Sequence, residues 1–203
     1  MLNQQHDIEV VGLLTTFNES ADRVAMHAVR KSLVEAQAVS VGLPLIPVSL
    51  PWPCSNEDYE EAMEKALGKA CDQLDVTTVA FGDLFLEDIR AYREERMIAW
   101  GTEAIFPIWK SETSHLAMQM IEAGLKAYLT CVDPRQCPAK FAGRLFDRNL
   151  LNDLPHSVDP CGENGEFHSF VFDGPMYSAA IDVNVGETTE RDGFVFADIV
   201  AAP

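Results

Sequence analysis

The chain has 203 residues, 47% of them hydrophobic, which is ordinary for a globular protein and enough for one large domain or two small ones, so extended disorder is excluded. Its 32 acidic residues outnumber 15 basic ones and give a formal net charge of -17, which excludes a general affinity for nucleic acid, because phosphate binding needs clustered Lys and Arg. No window approaches the roughly eighteen continuous apolar residues of a membrane span, and MLNQQHDIEV lacks the basic and apolar regions of a signal peptide, so a cytoplasmic location without membrane contact is expected.

Ile8 to Thr15 is a β-branched, apolar run of the kind found in a strand covered on both faces, and it leads into the polar loop Thr16 to Ser20. Met26 to Val41 has helical composition and stops at Gly42, a natural left-handed cap. A second apolar run follows, Leu43 to Leu50. Asn56 is placed to cap a helix in which Tyr59, Met63, Ala66, Leu67, Ala70 and Leu74 recur at spacings of three, four and seven, a core stripe. Val76 to Phe81 is a third strand closed by Gly82-Asp83, and Leu86 to Trp100 is a charged amphipathic helix. This alternation predicts a parallel sheet with crossover helices. Beyond Gly101 come a short strand at 104–106, a helix ending at Gly124, a strand from Ala127 to Val132, a loop-rich segment, and strands near 167–173, 178–185 and 194–200. That half reads as a mixed α+β unit. The five cysteines are odd in number and widely spaced, which suits mostly buried plain thiols rather than a disulfide framework or a zinc site.

Several segments carry candidate chemistry, each with a plainer alternative. Gly82-Asp83 falls at the carboxyl end of a parallel strand, where open α/β sheets bind ligands; alternatively, Asp83 caps the next helix. In LEDIRAYREER, Glu87, Arg90, Arg93, Glu94 and Arg96 can pair along a solvated helix face, but a guanidinium turned back toward the sheet would suit a phosphate or carboxylate. Asp133, before Pro134, is a site residue or a turn former. His6, His27, His115 and His156 have no neighbours at metal-ligand spacing and are expected to be structural or exposed; no metal ligand set is assigned. In DPCGENGEFHSFVFDGP, a glycine-rich turn accounts for the glycines and Asn164. It does not account for Glu163 and Glu166 crowding before His168, a grouping suited to an ammonium-like ligand, a metal-bound phosphate or a transferable proton. A purely structural turn is expected to tolerate Glu166→Gln.

The segments VVGLLTTFNE, FGDLFLEDIRAYREER, GLKAYLTCVD and DPCGENGEFHSFVFDGP, in this order, resemble the diphthine-ammonia ligase family of PP-loop ATP pyrophosphatases over nearly the whole chain. GDLFLEDIR and CGENGEFH carry most of the specificity. The resemblance implies an α/β fold: an adenine nucleotide alpha-hydrolase-like (HUP), Rossmann-like parallel sheet with flanking helices over residues 1–102, then a smaller mixed α+β C-terminal domain over residues 103–203, with the active site between them. It implies ATP with Mg2+, and no zinc, haem or flavin; ATP or AMP and ammonia as ligands; a diphthine-bearing translation elongation factor as protein partner; and room for a homodimer. Activity would consist of adenylating a carboxylate and letting ammonia displace AMP. Carried over by motif, Leu14, Thr15, Thr16 and Gly82 would lie at the nucleotide. Asp83, Glu163, Glu166 and His168 would be catalytic, and Glu87, Arg90, Arg93, Asp133 and Asn164 would bind substrate.

One departure qualifies this picture. The family opens with a strand and an SGGKDS-type loop that holds pyrophosphate at a helix N-terminus, and no such motif occurs here. MLNQQHDIEV resembles the end of the helix after that loop. The expectation is that Met1 is an internal methionine, that in-frame codons for the loop lie upstream, and that the 203-residue chain alone turns over little. The alternatives are a PP-loop relative acting on a different carboxylate, and a catalytically inactive nucleotide-binding module.

Overall fold

The computed structural model describes residues 2, 5–24 and 27–203. In chain order the strands and helices are β1 (Leu13–Asn18), β2 (Arg23–Val24), α1 (Lys31–Val41), β3 (Leu45–Leu50), α2 (Asn56–Leu74), β4 (Thr78–Ala80), α3 (Glu87–Ala99), β5 (Glu103–Ile105), α4 (Thr113–Glu122), β6 (Lys126–Val132), α5 (Arg148–Asp153), β7 (Phe167–Asp173), β8 (Val183–Arg191) and β9 (Phe194–Ala201), with a 3-10 turn at Ala139–Phe141 between β6 and α5. Two compact units emerge. One comprises Met1–Ser20 with Leu43–Ser111, the other Ala21–Gly42 with Glu112–Pro203. Residues 21–42, read from sequence with the first stretch, thus belong with the C-terminal residues.

The first unit is parallel α/β. β1 runs beside β3 from Leu13↔Leu45 to Asn18↔Leu50, and β4 beside β5 from Thr78↔Glu103 to Ala80↔Ile105. Parallel neighbours need crossovers: the segment that holds α1 links β1 to β3, and α3 links β4 to β5, while α2 connects the two strand pairs. The two strand pairs are not hydrogen-bonded to one another, yet they share one core: Val48, Leu50, Met63, Leu67 and Met97, with Leu14, Val79 and Ala104 packed against them. Met63, Leu67 and Ala70 recur every three or four residues and form the buried face of α2. Burying each of the large ones contributes roughly 1.5–3 kcal/mol.

The second unit is built on an antiparallel sheet in the order β7-β6-β9-β8. On one face Ala127, Leu129 and Val132 of β6 and Phe167 of β7 pack with Ala117 of α4, Phe141 of the 3-10 turn, Leu150 of α5 and Val158. Successive strand residues point to opposite faces, so His168, paired with Cys131, and Phe196, paired with the same cysteine, look the other way. There residues 21–42 attach. Gln37 Nε2 donates to the Val171 carbonyl at 2.6 Å, Ser178 Oγ donates to the Ser40 carbonyl at 2.7 Å, and Arg23 and Arg30 both pair with Asp198 of β9.

Several boundaries differ from the sequence reading, each for a local reason. β1 starts at Leu13 rather than Ile8 because its partner begins after Pro44, whose carbonyl accepts the Leu13 N–H; residues 8–12 are neither strand nor helix. The expected helix from Met26 begins at Lys31. Ala28 takes φ +54, the Val24 N–H donates to the Val29 carbonyl at 2.8 Å, and the Ala28 N–H donates to the Val24 carbonyl at 3.0 Å. Met26, like Met1, Asn3 and Gln4 of the N-terminal stretch, lies outside the described residues. The cap of α2 is Ser55, not Asn56: Ser55 Oγ accepts the Asp58 N–H while Asp58 Oδ2 accepts the Ser55 N–H, a reciprocal capping box. Gly42 does cap α1 at φ +76. Asp192 and Gly193, at φ +53 and +79, form a hairpin turn, and that turn sets β8 at Val183–Arg191 rather than 178–185. All five cysteines are free, with Cys131 and Cys137 buried. Among the described residues no helix is long and apolar enough to cross a membrane.

Candidate functional site

The candidate residues fall into two clusters, one in each unit. In the first unit, Gly82 and Asp83 follow β4. Asp83 does not cap α3, whose N-cap is Leu86. Instead Asp83 Oδ2 sits 2.8 Å from Arg93 Nε, but the N–H direction misses the oxygen, so the pair is held by charge rather than by a directed hydrogen bond. The same guanidinium lies 4.4 Å from the centre of the Phe81 ring. Arg93 is therefore turned back toward the strand end.

One turn earlier, Arg90 binds Glu94 Oε1 at 2.7 Å, and its guanidinium stands 4.7 Å from the centroids of both Phe106 and Trp109. Phe106 in turn stacks with Phe81 at 5.6 Å and meets Trp109 edge-on at 5.9 Å. Cation–π contacts of this kind hold a flexible arginine at small cost in entropy. Glu87, Arg90, Ala91, Glu94 and Trp109 line a shallow, open depression of about 260 Å3. A Cβ on Gly82 would meet open space, so the backbone beside Asp83 is approachable. Leu14, Thr15 and Thr16 lie half-buried in β1, paired with β3 rather than with β4, after which Gly82 and Asp83 come. The aromatic trio was missed by the sequence reading. FPIW directly follows β5, the place where a strand-end site would draw its residues.

In the second unit, Asp159 to Glu166 closes on itself. Glu166 is 2% exposed, and its carboxylate is fully engaged by the loop: Oε1 accepts the Asp159 N–H and the Asn164 side-chain amide, each at 2.9 Å, and Oε2 accepts the Asn164 N–H at 2.9 Å. Asp159 Oδ1 accepts from Cys161 and Glu163 N–H groups at 2.8 and 3.3 Å. The Glu166 carbonyl also takes the Asp133 N–H, which ties the turn to the end of β6. Glu166 and Asn164 thus hold the turn in shape. Glu163 is half-buried on the same turn.

The glycines of this turn are not equivalent. Gly162 and Gly165 both take positive φ, +72 and +79. A Cβ on Gly162 would lie 2.7 Å from the Phe167 carbonyl oxygen and 3.1 Å from its ring, whereas one on Gly165 would meet nothing within 4 Å. Gly162→Ala is therefore expected to lower stability by about 2–3 kcal/mol, combining strain with a clash against backbone, and Gly165→Ala by only about 1 kcal/mol. Thermal unfolding of the two variants side by side checks this; equal losses would show that the contact at Gly162 is relieved by movement.

Asp133 is 3% exposed and serves its own turn: Oδ1 takes the Arg135 N–H at 3.0 Å and its Nε at 2.8 Å, while Oδ2 takes Arg135 Nη2 at 2.8 Å and Gln136 Nε2 at 3.0 Å. The Arg135 side chain holds the carboxyl well below the usual carboxylate range. His168, by contrast, faces away from the hydrophobic core, and its ring stacks on that of His27 with centroids 4.3 Å apart and planes 18° from parallel. Burial lowers His168, and it lowers His27 to about 4 with help from a charge on His168. No spacing signal joins positions 27 and 168, so the sequence reading left His27 as structural or exposed. Among the described residues no three His, Cys, Asp or Glu side chains gather as a protein-held metal ion needs.

A parallel α/β unit with an acid and an arginine at a strand end, and an antiparallel unit with a carboxylate-clamped glycine turn, define a two-unit α/β protein with polar side chains gathered at strand ends and turns. The diphthamide synthase N-terminal domain matches residues 2–99, and the diphthamide synthase C-terminal domain matches residues 112–200. The chain belongs to the diphthamide synthase family. The diphthine–ammonia ligase of Danio rerio is 25% identical over 197 residues, covering 90% of this chain and 77% of the relative. That of Rattus norvegicus is 23% identical over 152 residues, 72% of this chain and 56% of the relative. That of Schizosaccharomyces pombe is 22% identical over 156 residues, 74% of this chain but only 26% of the relative.

Proposed function

We propose that the protein is an ATP-dependent ligase that joins ammonia to a carboxylate through an acyl-adenylate, with the diphthine of a translation elongation factor as acceptor. The observation that carries the proposal is the consecutive match of both diphthamide synthase domains across almost the whole chain, one on each side of Ser111. A carboxylate is a poor acyl donor, and AMP turns its oxygen into a leaving group. The protein's part is to align reactants and to balance charge. Gly82 leaves backbone open to a ligand, Arg93 offers a guanidinium already turned to the strand end, and Asp83 limits its swing. Arg90 and Glu87, on the wall of the shallow depression, contact the acceptor. Leu14, Thr15 and Thr16 flank the nucleotide. Glu163 and His168 supply the second unit's polar groups toward ammonia and its protons. Glu166, Asn164 and Asp133 shape the loops that carry them. Mg2+ is held by the nucleotide phosphates, its common mode. A cytoplasmic setting fits such a substrate.

The test is to incubate the chain, alone and with an SGGKDS-type strand and loop added in front, with ATP, ammonium and diphthine-bearing elongation factor, following nucleotides by chromatography and the factor by mass spectrometry. AMP, pyrophosphate and amidated factor are expected together, more with the added loop, and reduced at least tenfold by Arg93→Ala, the loss of one charged transition-state contact. Release of ADP, or nucleotide turnover indifferent to ammonium in both versions, would overturn the assignment.

A further inference from the structure

We propose that His27 is a positioning residue for His168: the two imidazoles act as one stacked pair that holds a single proton at most between them near neutral pH, with His27 fixing the plane of the His168 ring and keeping it neutral. The inference deepens the ligase assignment and rests on it for what the proton is used for.

The geometry comes first. Rings with centroids 4.3 Å apart and planes 18° from parallel cannot both become cations without strong repulsion across a short gap. His168 is held on β7 by its pairing with Cys131, and His27 precedes Ala28, whose N–H donates to the Val24 carbonyl at 3.0 Å. The residues flanking His27 are anchored in turn, since Arg23 donates to the Ala28 carbonyl and to Asp198 Oδ1, and Arg30 pairs with the same carboxylate. Both rings are half-buried, and among the described residues neither donates to nor accepts from another group through a ring nitrogen. A purely structural stack needs no nitrogen at all, and phenylalanine would fill it as well.

The surrounding charges do not stabilise an imidazolium. On β6 the Cys131 thiol, opposite His168, is pushed up to about 11 by burial and stays neutral. On β9 the Asp198 carboxylate is engaged by Arg23 and Arg30, and in the turn before β7 the Glu166 carboxylate is engaged by Asp159 and Asn164. The same turn also carries Asp159 and Glu163, Lys126 of β6 pairs with Asp173 of β7, and α1 carries Lys31 and Glu35. Burial therefore dominates both rings, and a proton taken by one is denied to the other.

Imidazole NMR titration of the wild-type chain, His27→Ala and His27→Phe tests this. In the wild type, one ring is expected to titrate below the ordinary histidine value and the other only near pH 4. His27→Ala, which uncovers His168, should raise the His168 midpoint toward its ordinary value; His27→Phe, which keeps a ring in place, should leave it depressed and abolish the second step. Two independent wild-type titrations near the ordinary value, or a His168 midpoint unmoved in His27→Ala, would overturn the proposal. If the alanine variant does not fold, the two-step wild-type titration and the phenylalanine variant decide alone. A second readout separates this from the ligase assignment: the pH profile of amide formation should move with the His168 midpoint. Coupled titrations with a profile that ignores them would leave the pair standing and remove His168 from the reaction.

Discussion

Glu166→Gln is expected to destabilise the protein by about 1–3 kcal/mol, the cost of a buried donor left facing a donor. Three donors converge on the carboxylate, two on Oε1 and one on Oε2. An amide in its place puts an NH2 against an N–H in either orientation: against Asn164 N–H one way, against Asp159 N–H and the Asn164 side chain the other. The urea midpoint should fall with an unchanged slope, and Glu166→Ala should fall further because all three donors lose their acceptor. A wild-type midpoint in Glu166→Gln would mean that water or loop movement replaces the lost acceptor. The result also decides how the variant can be used. Loss of activity in Glu166→Gln would therefore have to be read together with its stability, because the turn's own hydrogen bonds make a stability loss expected where a plain structural turn was expected to tolerate the change.

The outcome at Glu166 shows what the sequence could and could not convey. Alternating strands and helices, the α2 stripe of Met63, Leu67 and Ala70, and the Gly42 cap follow from local periodicity and backbone preference, and these are legible one segment at a time. Two carboxylates before a histidine were equally visible, but which way each points is a property of the folded turn: Glu166 accepts three N–H donors from Asp159 and Asn164 in a turn where Gly162 and Gly165 take positive φ. For the same reason Asp83 could be read as a cap or a site residue with equal ease, until the fold set Arg93 within 2.8 Å of it. His27 was illegible altogether. Its partner lies on a strand far along the chain, and the turn that presents it, with Ala28 at φ +54, interrupts what composition reads as continuous helix.

The second large expected effect is on acid stability, and its two parts separate by pH. His27 has a folded-state value near 4 against an ordinary 6.5, so between those limits the unfolded chain binds the proton and the folded one does not. Stability from this source is whole above about pH 6.5 and falls as pH drops toward 4, by about 2–3 kcal/mol in all, since each unit of difference is worth roughly 1.4 kcal/mol and partial hydration trims the total. His168, lowered by burial, acts in the same direction. Asp133 has the opposite kind of group but a similar slope at lower pH: Arg135 holds its carboxyl down, so its contribution is present above the ordinary carboxylate value and is lost only as pH falls below about 4. Unfolding free energy measured from pH 7.5 to 3 should therefore decline in two stages. His27→Phe should shrink the upper stage to the part His168 contributes and leave the lower one, while Asp133→Asn should shrink the lower stage and leave the upper. A wild-type curve flat between pH 6.5 and 4 would mean that the stacked rings are hydrated enough to protonate in place, and the buried-pair account of His27 would fall with it.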